Sequence, residues 1–143
     1  MAKLELSRDL SLSPEEAWEH ASNLSELGDW LQMHEGWRGE VPSELTVGTT
    51  LVGVAGAKGM RNRVTWTVRE LNPPRLLRIT GDGVGGTKYA LKMSVAPTKS
   101  GCSFSVTIDL GGRPLFGPIG IAAARAVKGD IERSIRKFES LYC

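Results

Sequence analysis

Pro114-Leu-Phe-Gly-Pro-Ile-Gly-Ile-Ala-Ala-Ala-Arg-Ala-Val-Lys-Gly-Asp-Ile-Glu-Arg-Ser-Ile-Arg-Lys-Phe-Glu-Ser-Leu-Tyr-Cys143 is the stretch whose reading decides the fold. Val127, Ile131, Ile135 and Phe138 recur at spacings of four, four and three with charges between them, the pattern of an amphipathic helix resting on another layer. The half before it, Gly117 to Ala126, is small and apolar nearly all round. About twenty-five helical residues would span roughly 37 Å, enough to cross a sheet. Small side chains fill little volume, so the first half predicts a roof over empty space and the second half an anchor. A container is implied; its contents are not.

Working back from the helix, the apolar period changes from four to two. Phe104, Val106, Ile108 and Leu110 alternate with Ser103, Ser105, Thr107 and Asp109; Tyr89, Leu91, Met93 and Val95 alternate with Lys88, Ala90, Lys92 and Ser94. Val64, Trp66 and Val68 form one face of a further strand that Asn72-Pro73-Pro74 stops. Residues 75–80 make a short strand, and Leu51, Val52 and Val54 one weakened by Gly53 and Gly56, with a hairpin turn at Ala57-Lys58-Gly59. Connections this short exclude helical crossovers, so the sheet is an antiparallel meander with one apolar face. At the start, Leu4, Leu6, Leu10 and Leu12 alternate over residues 3–12 as another strand. Ser13-Pro14-Glu15-Glu16 then opens a helix with an N-cap Ser, Pro at the first helical position and Glu three residues after the cap. A short helix bearing Trp18 and Ala21, and a second over Leu24 to Leu31, form a corner that also takes in Trp30 and Trp37.

Composition narrows the function classes. The 143 residues form one domain, 1–143, with 41% hydrophobic and 24% charged residues and no low-complexity tract. A net charge of +2 argues against nucleic acid, the cluster Lys58, Arg61 and Arg63 notwithstanding. No apolar run approaches the ~18 residues of a membrane span, and the opening Met-Ala-Lys-Leu-Glu-Leu carries no secretory core, so a cytoplasmic protein without membrane insertion is expected. Cys102 and Cys143 are expected as free thiols.

Gly81-Asp-Gly-Val-Gly-Gly86 matches the glycine pattern of a dinucleotide-binding turn, but Thr87 to Val95, immediately after it, has strand periodicity. With no helix N-terminus to meet a phosphate, it reads as a hairpin. His20 and His34 stand without Cys or His at ligand spacing and no serine elbow occurs, so neither a metal site nor a serine triad is expected, and no cofactor is implied. His34, between Trp30 and Trp37, is either a core histidine or a proton shuttle, and Asp82 is a second acid–base candidate at the cavity mouth. Inward polar candidates are Arg8, Asn62 and the Tyr89 hydroxyl. Arg8 either snorkels out at the rim or points a charge inward, and a sealed core would need partners for all three. The expected cavity lining is Asn62, Trp66, Tyr89 and Met93 opposite Phe116, Ile119 and Ile121, with Arg8 at the edge. The Gly111–Gly120 joint is either a sharp bend or a gate.

Leu10-x-Leu12-x-x-Pro14-x-x-x-Trp18, Pro73-Pro74 and the long last helix resemble the SRPBCC superfamily, which includes START lipid-transfer domains, the birch-pollen-allergen family and polyketide cyclases. The resemblance implies an α+β helix-grip fold: a curved seven-stranded antiparallel sheet, two short helices, and a long C-terminal helix covering a cavity. It implies binding of a hydrophobic small molecule of lipid or polyketide-like type. Met33-His34-x-x-Trp37-Arg38, Lys58-Gly59-Met60-x-Asn62-Arg63-Val64-x-Trp66-Thr67, Gly81 to Gly86 and Leu115 to Gly120 further resemble a branch described as toxins of toxin–antitoxin pairs. That second resemblance implies an alternative function, a toxin with a small antitoxin protein as partner. A polyketide cyclase/dehydratase-like enzyme is the third expectation. The superfamily shares no catalytic motif, so no active-site residue carries over.

Overall fold

A computed structural model describes residues 2–56, 61–112 and 117–143. β1 (Ala2–Leu10) leads to α1 (Pro14–Ser22), a 3-10 turn at Leu24–Glu26 and α2 (Leu27–Trp30). Six more strands come next: β2 (His34–Arg38), β3 (Thr50–Ala55), β4 (Asn62–Asn72), β5 (Leu76–Gly83), β6 (Thr87–Thr98) and β7 (Gly101–Gly112). The long helix α3 spans Pro118–Tyr142. All seven strands pair antiparallel in the order β1-β7-β6-β5-β4-β3-β2, so the first strand is an edge lying beside the last. This is the expected α+β helix-grip architecture.

Local chemistry accounts for the helical corner. The Ser13 hydroxyl accepts a hydrogen bond from the Glu16 amide at 3.2 Å, satisfying one of the free donors at the start of α1. Asn23 ends α1, and its side-chain oxygen accepts from the Ser25 amide at 3.2 Å, turning the chain into the 3-10 segment. The expected helix from Leu24 to Leu31 is therefore divided into one 3-10 turn and one α turn.

The period-two pattern sorts the sheet's two faces. Val64, Trp66, Val68, Leu77, Ile79, Leu91, Met93, Phe104, Val106 and Ile108 are all buried, while Lys, Arg, Thr and Ser between them face outward. Across the inner face lie Val127, Ile131, Ile135 and Phe138 of α3, each no more than 2% exposed. One end is closed by aromatic packing: Trp30 meets Phe138 at 5.1 Å and 82°, and Phe104 at 5.7 Å and 67°. In such T-shaped pairs the positive ring edge meets a negative face, worth about 0.5–1.5 kcal/mol beyond burial. Ser134 of α3 accepts a hydrogen bond from the Gln32 amide at 2.8 Å, fixing helix to corner.

Two elements differ from expectation. β1 leaves the ladder at Leu10, although Leu12 is still buried. His34 and Trp37 belong to an edge strand, β2, and not to the helical corner; the register shift between His34 and Gly36 breaks the alternation that would have marked it. Arg8 takes the outward alternative: on an edge strand its guanidinium reaches solvent and pairs with Glu139 of α3 at 2.8 Å. The glycine-rich segment Gly81–Gly86 is a hairpin, with Gly85 and Gly86 at φ +76° and +89°. The hairpin turn at Lys58-Gly59 and the joint residues 113–116 lie outside the described residues. No helix among the described residues is long and apolar enough to cross a membrane.

Candidate functional site

The inner face along β2 to β6 is built differently from the end packed around Trp30 and Phe138. Here glycines take the place of side chains, and aromatic rings lie across them. An added Cβ at Gly53 would come within 3.0 Å of the Trp37 ring and 3.1 Å of the His34 ring; one at Gly81 would stand 2.9 Å from the Trp66 ring. The pairings explain the array: Gly53 faces Trp37 across β2–β3, and Gly81 is flanked by Trp66 on β4 and Tyr89 on β6. His34 and Trp37 are 4.3 Å apart, and Trp66 and Tyr89 6.1 Å at a tilt of 37°. In the first half of α3 Ala123, at 3% exposure, is the most buried residue.

Five buried side-chain polar atoms lack a hydrogen-bond partner among the described residues: Trp30 Nε1, both His34 nitrogens, Trp66 Nε1 and Asp130 Oδ2. Three of the five belong to this site. A buried donor or acceptor left unpaired costs about 1–3 kcal/mol, so each calls for an explanation. Trp30 makes T-shaped pairs with Phe104 and Phe138, and the other oxygen of Asp130 is engaged by Arg133. His34 and Trp66 have no comparable local substitute. Burial lowers the His34 pKa from 6.5 to about 4, so the ring is neutral near pH 7 and offers one donor and one acceptor. A base that weak is poorly matched to proton abstraction at neutral pH. Burial also raises the Tyr89 hydroxyl above its ordinary range.

The expected lining residues separate into groups. Trp66, Tyr89 and Met93 are buried on the inner face, Met93 two inward positions beyond Tyr89 and towards the packed end. Asn62 opens β4 at its outer end, is exposed, and accepts a hydrogen bond from the Arg63 amide at 2.8 Å. Ile119 and Ile121 are 56% and 59% exposed, on the solvent side of α3, where a helix lying on a sheet presents only one face inward. Phe116 lies outside the described residues. Arg8 is held at the far edge by Glu139. Asp82 is fully exposed and hydrogen-bonded to Lys88, whose ammonium holds it below the usual carboxylate range. His34 and Asp82 therefore stand on opposite faces of the sheet and form no acid–base pair. Among the described residues no three His, Cys, Asp or Glu side chains gather as metal ligands.

Sequence alone did not mark Trp37 as a wall of this site or Gly53 and Gly81 as its floor. Glycine inside a strand pattern is the available signal, since it marks close approach of another group as readily as it marks a weak strand.

Comparison with known proteins places this geometry in a lineage. The family described as polyketide cyclase / dehydrase and lipid transport matches residues 1–142. The uncharacterized protein Rv1546 of Mycobacterium tuberculosis is 56% identical over 142 residues, covering 99% of each chain. A second protein of that organism, named Toxin Rv0910, is 43% identical over 142 residues with the same coverage. Among solved structures, a START superfamily protein from Mycobacterium smegmatis superimposes with a TM-score of 0.74 at 14% identity, over 98% of this chain and 96% of that one. The chain is a member of the polyketide cyclase / dehydrase and lipid transport family, within the SRPBCC superfamily.

Proposed function

We propose that this protein binds an uncharged, largely apolar small molecule between the sheet and the first half of α3. The carrying observation is the group of buried polar atoms on His34 and Trp66, without partners among the described residues, beside the rings of Trp37 and Tyr89 respectively. An apolar pocket with a few convergent polar groups is the usual form of a small-molecule site. A neutral His34 and the Trp66 indole would serve a ligand carrying both a hydrogen-bond acceptor and a donor. The family's description, which joins polyketide chemistry with lipid transport, supports the same class of ligand. The protein works in this reading as a single cytoplasmic domain that holds its ligand without cofactor or metal.

Native mass spectrometry of freshly purified protein, followed by titration with fatty acids, sterols and aromatic polyketides while tryptophan emission is read, tests this. Saturable quenching that is lost in Trp66→Phe but kept in Trp18→Phe is expected. No saturable response from any class contradicts the proposal.

A second reading, the toxin component of a toxin–antitoxin pair with a small protein partner, is favoured by the 43% identical relative named a toxin. Growth arrest on expression, relieved by co-expression of a neighbouring short open reading frame, is its expected outcome; harmless expression removes its support.

A further inference from the structure

A second concave surface lies beside the helical corner, lined by residues other than those of the aromatic site. It is an open groove of about 670 Å³, bounded by α1, the 3-10 turn, the segment between β2 and β3, and the end of β4. Its floor is apolar, made by Trp18, Leu24, Val41, Leu45, Leu71 and Pro73. Trp18, Val41, Leu45 and Leu71 are only half-buried, packed against the core on one side and open to the groove on the other. A contiguous apolar surface of this kind, rimmed by polar groups, marks an interaction site more often than scattered exposed residues do.

Charge identifies the occupant. The chain carries a net charge of +2, yet among the described residues the only charged ones lining the groove are Glu19 and Glu44. Neither forms an ion pair among the described residues. An apolar floor under two unneutralised carboxylates is complementary to an apolar side chain flanked by cations.

We infer that this groove docks a partner protein through a short segment in which one or two large apolar residues are flanked by Lys or Arg. The apolar side chain rests over Trp18, Leu45 and Leu71, and the flanking cations meet Glu19 and Glu44. His34, Trp37, Trp66 and Tyr89 are not among the groove's lining residues, and the Trp37 indole donates to the Leu24 carbonyl of the groove at 2.6 Å. Partner docking and small-molecule binding are thus separate properties, and loss of one leaves the other in place.

The test uses the full chain labelled with nitrogen-15 and two capped tetrapeptides, acetyl-Lys-Leu-Phe-Lys-amide and acetyl-Glu-Leu-Phe-Glu-amide. The basic peptide is expected to give saturable amide shifts confined to residues 18–24, 41–45 and 71–73, weakening as salt is raised. The acidic peptide is expected to bind at least about tenfold more weakly. Glu19→Gln with Glu44→Gln, both exposed and remote from the core, should weaken the basic peptide about three- to tenfold with the remaining spectrum unchanged. Equal binding of the two peptides, shifts centred elsewhere, or no response at about 1 mM peptide overturns the inference. So does a concentration-dependent dimer whose interface maps to the groove and ignores the double substitution, since the occupant is then a second copy of this chain.

Discussion

The two halves of α3 rest on two different floors. From Val127 onward the helix presents branched and aromatic side chains to Phe104, Trp30 and their neighbours, and its inward residues are 0–2% exposed apart from Asp130. Before Val127 it presents Ala123, while Ile119 and Ile121 face solvent. Around Phe104 and Trp30 the sheet offers bulk; along β2 to β6 it offers glycines crossed by rings, with His34 and Trp66 polar atoms that have no partner among the described residues. In the proposed reading one helix carries out two tasks, its large inward residues holding the fold and its small ones leaving room for the ligand.

The largest expected break in this comparison is Ile131→Asp. It places a charge among 0–2% exposed side chains, with a cost beyond about 4 kcal/mol, and circular dichroism should report an unfolded domain. A folded Ile131→Asp protein would mean the anchor half is not an anchor. The next effect concerns the roof end. With His34 held at about 4 against an ordinary 6.5, the unfolded chain takes up a proton between those pH values that the folded chain does not. Stability is therefore full above pH 6.5, falls as pH drops toward 4, and is lower by up to about 3 kcal/mol below that. Denaturation of wild type and His34→Gln across this range isolates the histidine from the carboxylates; parallel pH curves would contradict it. Smaller still is Arg8→Ala. The Arg8–Glu139 pair is largely solvent-exposed, so its loss should lower stability by about 0.2–1 kcal/mol, an effect that added salt erases.

Much of this division was legible in the order of residues. Period four in Val127 to Phe138 and period two in β4, β6 and β7 are strong signals because each is repeated and each is punctuated by Pro, Gly or Asn. The hairpin at Gly81–Gly86 was legible because a strand pattern comes directly after it. β2 was not, because five residues with a register shift carry no alternation. Nor was the true lining of the site. Trp66 and Tyr89 are readable from parity, but Asn62 keeps the same parity and is exposed, since a strand's inward side stops being inward where the strand ends. The sense of Ile119 and Ile121 was hidden for a related reason: nearly all residues of that half are apolar, so composition cannot tell which face turns in. Trp37 over Gly53 and Trp66 over Gly81 arise from cross-strand pairing between residues sixteen and fifteen positions apart.

The smallest expected change gives the most direct test of the central claim, that the roof half of α3 leaves room. Ala123 points inward beneath the roof, and in packed core an added indole costs well over the usual 1–3 kcal/mol of overpacking. Denaturant unfolding of Ala123→Trp, read beside ligand titration, is the measurement. The account predicts a change in stability below about 1 kcal/mol together with complete loss of ligand binding. Destabilisation comparable to that of Ile131→Asp would show that the roof is solid core and that no ligand is held beneath it.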